Sequence, residues 1–159
     1  MKAFSNLLSD LILTSSRNRK LSLLEQYFSS TPDPDRGYAL AALTGSLNFK
    51  NIKASFFKNL IKEKQDEHLF DLSYDYVGDL AETISLLWDQ EKSGNMPRLS
   101  SLFENLKKAK PDEFKNYIIN ILNISTADQR WAFIKLFTGG LRIGAVSYTH
   151  LRAHETTCD

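Results

Sequence analysis

Apolar residues recur at three- and four-residue intervals along most of this chain, and no stretch alternates regularly between apolar and polar side chains. The sequence also contains no Asn-Gly or Asp-Gly pair of the kind that forms tight β-hairpins. This periodicity predicts an all-α domain of eight or nine helices. The first of them is predicted from about Lys2 to Leu13, with an apolar stripe of Phe4, Leu7, Leu8, Leu11 and Ile12.

Short polar residues and prolines mark the predicted helix starts. Ser15 or Ser16 can cap the second helix, and Asp33 is the predicted N-cap of the third, with Pro34 at its first helical position. The fourth helix is predicted from the apolar residues Phe49, Ile52, Phe56 and Leu60. Further helices are predicted over 69–76, over 80–88 after a capping-box pattern at Asp79 and Glu82, over 99–109, over 111–122, and from a cap at Ser125 or Thr126 to a stop at Gly139-Gly140.

The composition suits one soluble globular domain and limits what it can bind. With 42% hydrophobic residues in 159, the chain can bury a core. Twenty Lys and Arg against 19 Asp and Glu give a net charge of only +1, so any affinity for nucleic acid must come from one face. A single cysteine excludes a disulfide framework, and no apolar stretch approaches the length of a membrane-spanning helix. We therefore expect a cytoplasmic protein with no membrane partner.

Residues 146–156 read VSYTHLRAHET, which resembles the translation of a transposase-type sequencing adapter. We therefore expect residues 1–145 to form the domain and residues 146–159 to be an adapter-derived tail, the alternative being a natural polar tail. Excluding the tail removes His150, His154 and Cys158, a set whose spacing would otherwise suggest a metal site.

A search for catalytic groups finds none that form a site. His68 stands alone on a helix, where a structural role is the simpler interpretation. Asp71 and Asp75 are interpreted as solvated and Asp79 as a helix cap. The glycines near residue 140 are not followed by the Gly-Lys-Ser or Gly-Lys-Thr of a phosphate-binding loop. The sequence therefore predicts neither a metal nor a cofactor in this chain.

Four blocks of the sequence resemble the amino-terminal domain of bacterial ATP-dependent DNA ligases. They are SRNRKL at 16–21, TPDPDRGYALAALTG at 31–45, DYVGDLAETISLLW at 75–88 and RWAFIKLFTGGLRIG at 130–144. The last block is the most specific, because it contains a small-residue turn followed by Leu-Arg-Ile-Gly.

This resemblance implies a helical, monomeric module that grips duplex DNA around a nick through the minor groove and the backbone, without reading sequence. Its biological setting would be DNA repair, replication or recombination. The residues add a physical reason, because glycines let backbone amides approach a phosphate and an arginine suits a narrow, negative groove. The predicted DNA-binding residues are Arg17, Lys20, Arg36, Gly139, Gly140, Arg142 and Gly144.

Ligases of this family begin catalysis with the lysine of a Lys-x-Asp-Gly motif, which attacks ATP. The nearest matches here begin at Lys64 and Lys110, and both carry Glu where the glycine should be. ATP and magnesium are thus expected in a missing catalytic domain of the parent enzyme, and this chain is expected to be inactive alone.

A helical scaffold that binds proteins is the alternative function. DNA binding predicts that Lys135 joins the basic residues named above on one concave face with the glycine turn. A protein scaffold instead predicts an exposed apolar groove.

Overall fold

A computed structural model describes residues 1–47, 49, 51–139 and 141. Within these ranges the chain forms nine helices and no strand, which confirms the predicted all-α class. The helices are α1 (Lys2–Leu13), α2 (Arg17–Ser30), α3 (Asp35–Leu43), α4 (Ala54–Lys64), α5 (Glu67–Val77), α6 (Leu80–Leu87), α7 (Leu99–Lys108), α8 (Pro111–Ile124) and α9 (Ala127–Thr138). None of these nine combines the length and the apolar character needed to cross a bilayer.

Side-chain caps set several helix starts at the predicted residues. Ser16 Oγ accepts a hydrogen bond from the backbone N–H three residues further on (3.3 Å), and Asp79 Oδ2 does the same at the start of α6 (3.0 Å). Thr126 begins α9 with a complete capping box. Each cap satisfies an N–H group that the first turn of a helix leaves without an intrahelical partner.

The start of α3 differs from the prediction, because Pro34 and not Asp33 is its N-cap. Pro34 supplies no side-chain cap. The carboxylate of Asp35, the first helical residue, instead accepts hydrogen bonds from the Ser100 backbone N–H (3.0 Å) and from Arg98 Nε (3.3 Å). The acid at this helix start is therefore used to join α3 to α7, a contact that local capping rules cannot foresee.

The prediction that the fourth helix includes Phe49 is also wrong, since α4 begins at Ala54. Phe49 instead stacks on Phe103 of α7, with ring centroids 5.5 Å apart, and meets Phe137 of α9 edge-on at 5.2 Å. Phe137 in turn lies 5.1 Å from Phe133, which is fully buried. These rings form an aromatic cluster in the core. Phe49, which is partly buried, packs against this cluster and is not part of α4.

Helix α9 is the central element of the packing, since it contacts α1, α4 and α6. Helices α1 and α2 form an antiparallel pair, because Phe4 near the start of α1 lies 6.1 Å from Tyr27 near the end of α2. The start of α2 therefore lies at the carboxyl end of α1.

Arg130, in the first turn of α9, is a buried cation with only 4% of its surface exposed. Its Nη1 donates to the carbonyl oxygens of Ser85 (2.9 Å) and Trp88, at the end of α6, and its Nε donates to that of Ser125 (3.3 Å), after α8. Carbonyl groups in a last helical turn lack intrahelical donors and carry partial negative charge. One guanidinium of α9 therefore caps the carboxyl ends of α6 and α8.

The polar segment 89–97 is held against α8 and does not form a free linker. Backbone N–H of Glu91 donates to the Asn123 carbonyl (3.1 Å), and the Asn123 side chain accepts from Trp88 Nε1 (2.9 Å) and donates to Glu91 Oε2 (3.1 Å). A Cβ added at Gly94 would lie 3.1 Å from the Ile124 side chain. The segment is thus attached to α8 at Glu91 and Gly94, although residues 89–95 are exposed.

Replacing Arg130 with Met should lower the free energy of unfolding by about 3–5 kcal/mol, because several buried carbonyls lose a charged donor. Denaturant unfolding followed by circular dichroism measures this change. The matched control is Arg19→Met, on an exposed position of α2, for which we expect a change below about 0.5 kcal/mol. A loss of under about 1 kcal/mol for Arg130→Met would refute the capping role.

Candidate nucleic-acid interface

Gly139 ends α9, as predicted, in a backbone conformation that other residues rarely adopt. Its φ of 76° and ψ of −165° lie in a region occupied almost only by glycine. Its N–H donates to the Lys135 carbonyl (3.1 Å), which closes the last helical turn. An added Cβ would meet no atom within 4 Å, so the requirement for glycine comes from the backbone angles and not from crowding.

A hollow of about 370 Å³ opens beside Gly139. Thr44 and Gly45 line it from the end of α3, and Thr138 and Leu141 line it from the end of α9. The carboxyl ends of two helices therefore point toward one space, and both carry partial negative charge. This field disfavours a phosphate in the hollow unless a positive side chain accompanies it, and Lys135, which also lines the hollow, is paired with Asp79.

Gly140, Arg142 and Gly144 lie outside the residues that the structure describes. Their assignment to a DNA contact therefore stays a prediction.

The other predicted DNA-binding residues lie at the starts of two helices. Arg17 and Lys20 are in the first turn of α2, and Arg17 is exposed. Arg36 lies in the first turn of α3, where its Nε donates to the Thr31 carbonyl (2.9 Å). Seven residues of helix, about 10 Å, separate Arg36 from the end of α3 that lines the Gly139 hollow. A single face that includes all of these residues stays a prediction.

Lys135 forms an ion pair with Asp79 within the domain, so its positive charge is largely neutralised. Its Nζ lies 2.6 Å from Asp79 Oδ1, and only 15% of the lysine side chain is exposed. Burial alone would raise the pKa of Asp79, but hydrogen bonds from Lys135 and from the Glu82 backbone N–H outweigh it and hold that pKa below its ordinary value. The pair joins the start of α6 to the end of α9.

The acidic residues that precede α6 have the roles predicted for them. Asp71 and Asp75 are exposed on α5, and Asp79 caps α6. In the described part of the chain, no group of three or more His, Cys, Asp or Glu side chains is placed to hold a metal ion.

Two features escaped the sequence analysis. Arg130 is a charged residue whose burial depends on carbonyl groups at the end of α6, more than 40 residues earlier, so no local pattern indicates it. Ile12, predicted on the buried stripe of α1, is 51% exposed, because the stripe wraps beyond the face that α1 turns to the core. Leu11 and Leu13, which flank it, have exposed fractions of 0% and 85%.

Comparison with known proteins identifies one family. A family model described as the DNA ligase N terminus matches residues 1–155 of the 159-residue chain. No curated protein matches the chain at a significant level. The matched span contains all nine helices of the described region.

Replacing Gly139 with Ala should lower the free energy of unfolding by about 1–3 kcal/mol, the usual strain of this backbone region for a residue with a Cβ. The control is Gly37→Ala, since Gly37 is exposed inside α3 and an added Cβ there also meets nothing within 4 Å. That change should stabilise the domain by about 0.5–1 kcal/mol. Thermal unfolding of both variants provides the comparison, and equal effects of one sign would contradict the backbone argument.

Replacing Asp79 with Asn should keep the helix cap but lose the charge opposite Lys135, lowering stability by about 1–2 kcal/mol at neutral pH. Because the folded pKa of Asp79 is depressed, its contribution is complete well above the ordinary value of 3.8 and declines as the pH falls through the folded pKa. The stability difference between parent and variant, measured by denaturation across the acid range, should shrink below that value. Asp71→Asn, on the exposed face of α5, should show no such trend.

Proposed function

The chain belongs to the family of DNA ligase N-terminal domains, and from that premise we propose that it binds duplex DNA around a nick. The observation that carries the proposal is the family match over residues 1–155, which covers nearly the whole chain. Binding through phosphates and the minor groove would make it independent of sequence. The module would act as a monomer in the cytoplasm, within an ATP-dependent ligase used in DNA repair, replication or recombination.

The proposed contact centres on the turn that follows α9. At Gly139 the backbone leaves the helix in a conformation that other residues rarely adopt. Because glycine has no Cβ, a ligand can approach the backbone closely here. The carboxyl ends of α3 and α9 nearby disfavour a bare phosphate, so a cation must make the contact. Arg142 is that cation in our proposal, because its planar fork can donate to two acceptors in a narrow groove.

Further positive charge would come from the helix starts. Arg17 and Lys20 stand in the first turn of α2, where the helix dipole is positive as well, so both side chains and dipole favour an anion outside the helix. Arg36 would contact the DNA backbone from the first turn of α3. With a net charge of +1 over the whole chain, such local clusters are what an attraction to phosphate requires.

Strand joining would belong to the parent enzyme and not to this module. Joining requires a lysine that becomes adenylated by ATP with magnesium, and Lys64, which begins a near-match to that motif, is paired with Glu91 beside the Trp88 ring. Lys110, the other near-match, is the N-cap of α8. We propose that this chain positions DNA for an adenylation domain that supplies ATP and magnesium chemistry.

Arg142→Ala should weaken binding of nicked and intact duplex alike, and should flatten the dependence of log affinity on log salt by about one unit. A titration of labelled duplexes of unrelated sequence at low and moderate salt measures both effects. Lys108→Ala, which removes an exposed cation from the end of α7, is the matched control and should change neither quantity.

Failure of the folded chain to bind duplex at low salt would reject the proposed function. A strong preference for one sequence would reject its sequence independence. Equal affinities and equal salt slopes for the parent and Arg142→Ala would reject this residue as the contact while leaving the family assignment intact.

A further inference from the structure

A second and larger hollow, of about 580 Å³, runs along α9 on the side that faces α1 and α6. Its lining on α9 extends from Ala127 to Lys135, which is most of a helix about 18 Å long. Leu86 lines it from α6 and Trp131 from α9, Ile12 and Leu13 line it from α1, and Leu141 lines it after α9. We call this space the α6–α9 groove.

The α6–α9 groove is lined by several apolar side chains that remain exposed in the fold. In the described ranges, seven large hydrophobic side chains are exposed, and three of them line this groove: Ile12, Leu13 and Leu86. Leu13 is 85% exposed and Leu86 is 64% exposed. Leu86 also lines an adjoining hollow of about 350 Å³ with Leu72 and Tyr76, so the apolar surface continues across α5. Contiguous apolar surface of this kind marks an interaction site.

The charged residues that line the α6–α9 groove are mainly acidic. Glu82, Asp128 and Asp79 line it, and Lys135, the cation in the lining, is hydrogen-bonded to Asp79. When the Lys135–Asp79 pair is set aside, two carboxylates remain beside the apolar residues of the groove, those of Glu82 and Asp128. Such a surface repels phosphate and attracts a positively charged partner.

We propose that the α6–α9 groove binds a basic amphipathic helix of a partner protein. A helix of two to three turns matches the part of α9 that lines the groove, about 12 Å, and apolar residues at three- and four-residue spacing would pack against Leu86 and Trp131. Lys or Arg on its flanks would meet Glu82 and Asp128. The groove adjoins the hollow beside Gly139, since Lys135 and Leu141 line both, but Glu82 and Asp128 line only the groove and disfavour phosphate there.

The test uses a synthetic peptide of about 15 residues, with Leu at helical a and d positions, Lys on the flanks and Ala elsewhere. A second peptide carries Glu in place of every Lys. The full chain should bind the Lys peptide at least about tenfold more tightly than the Glu peptide, and added salt should reduce the difference. Anisotropy of labelled peptides measures affinity, and a change in tryptophan fluorescence that is lost in Trp131→Phe, which leaves the buried Trp88 as the remaining tryptophan, reports contact with the groove.

Variants locate the binding site. Leu86→Ser should weaken binding of the Lys peptide about tenfold or more, and its exposure means that folding should be unaffected. Leu40→Ser is the matched control, since Leu40 is an exposed leucine on α3 outside both hollows, and it should not alter binding. Glu82→Gln should weaken the Lys peptide and leave the Glu peptide unchanged or improved, whereas Glu104→Gln on the exposed face of α7 should change neither.

Other outcomes would overturn the proposal. Equal binding of the two peptides, or equal effects of Leu86→Ser and Leu40→Ser, would remove the groove as a site for a basic helix. A dimer in sedimentation that Leu86→Ser disperses would assign the groove to a second copy. A tenfold gain in peptide affinity on removing residues 142–159 would assign it to the chain's own segment. None of these readouts depends on DNA, so failure here is distinguishable from failure of the proposed function.

Discussion

The packing of this domain depends on how two cations of α9 engage α6. Arg130 donates to carbonyls at the end of α6, and five residues later Lys135 pairs with Asp79 at its start. The two helices therefore run antiparallel, with a charged link at each end and apolar packing between. Buried carbonyls and a buried cation are both costly when unpartnered, and the Arg130 link satisfies both at once. Helices α1 and α4 also pack on α9, and buried side chains of α7 and α8 contribute further to the core.

Much of the fold could be predicted because its helix boundaries follow local chemistry. Thr126 and Asp79 cap their helices as expected, and Gly139 ends α9, since capping depends on residues only a few positions apart. The errors arise where distant contacts compete with local preference. Asp35 engages α7 when Asp33 is the better local cap, and Phe49 joins a ring cluster with helices far along the chain.

In the candidate site, too, features set by local sequence could be predicted and features set by distant contacts could not. The sequence predicts that Gly139 ends a helix, and it predicts the cluster of basic residues in the first turn of α2. It does not predict the pairing of Lys135 with Asp79, because the two residues are 56 positions apart. The α6–α9 groove likewise needs three helices in place before Leu13 and Leu86 are seen to share a surface. Periodicity identifies an apolar side chain but not the neighbour that covers it.

The segment between α6 and α7 has the polar composition of a hinge, yet its backbone and the Trp88 indole are tied to Asn123 and its Gly94 lies against Ile124. A segment of this polar composition is usually expected to tolerate proteolytic cleavage, insertion or circular permutation. Its hydrogen bonds to Asn123 instead fix this exposed segment on α8. A cut or an insertion in this segment would therefore break hydrogen bonds to α8 as well as the chain connection between α6 and α7.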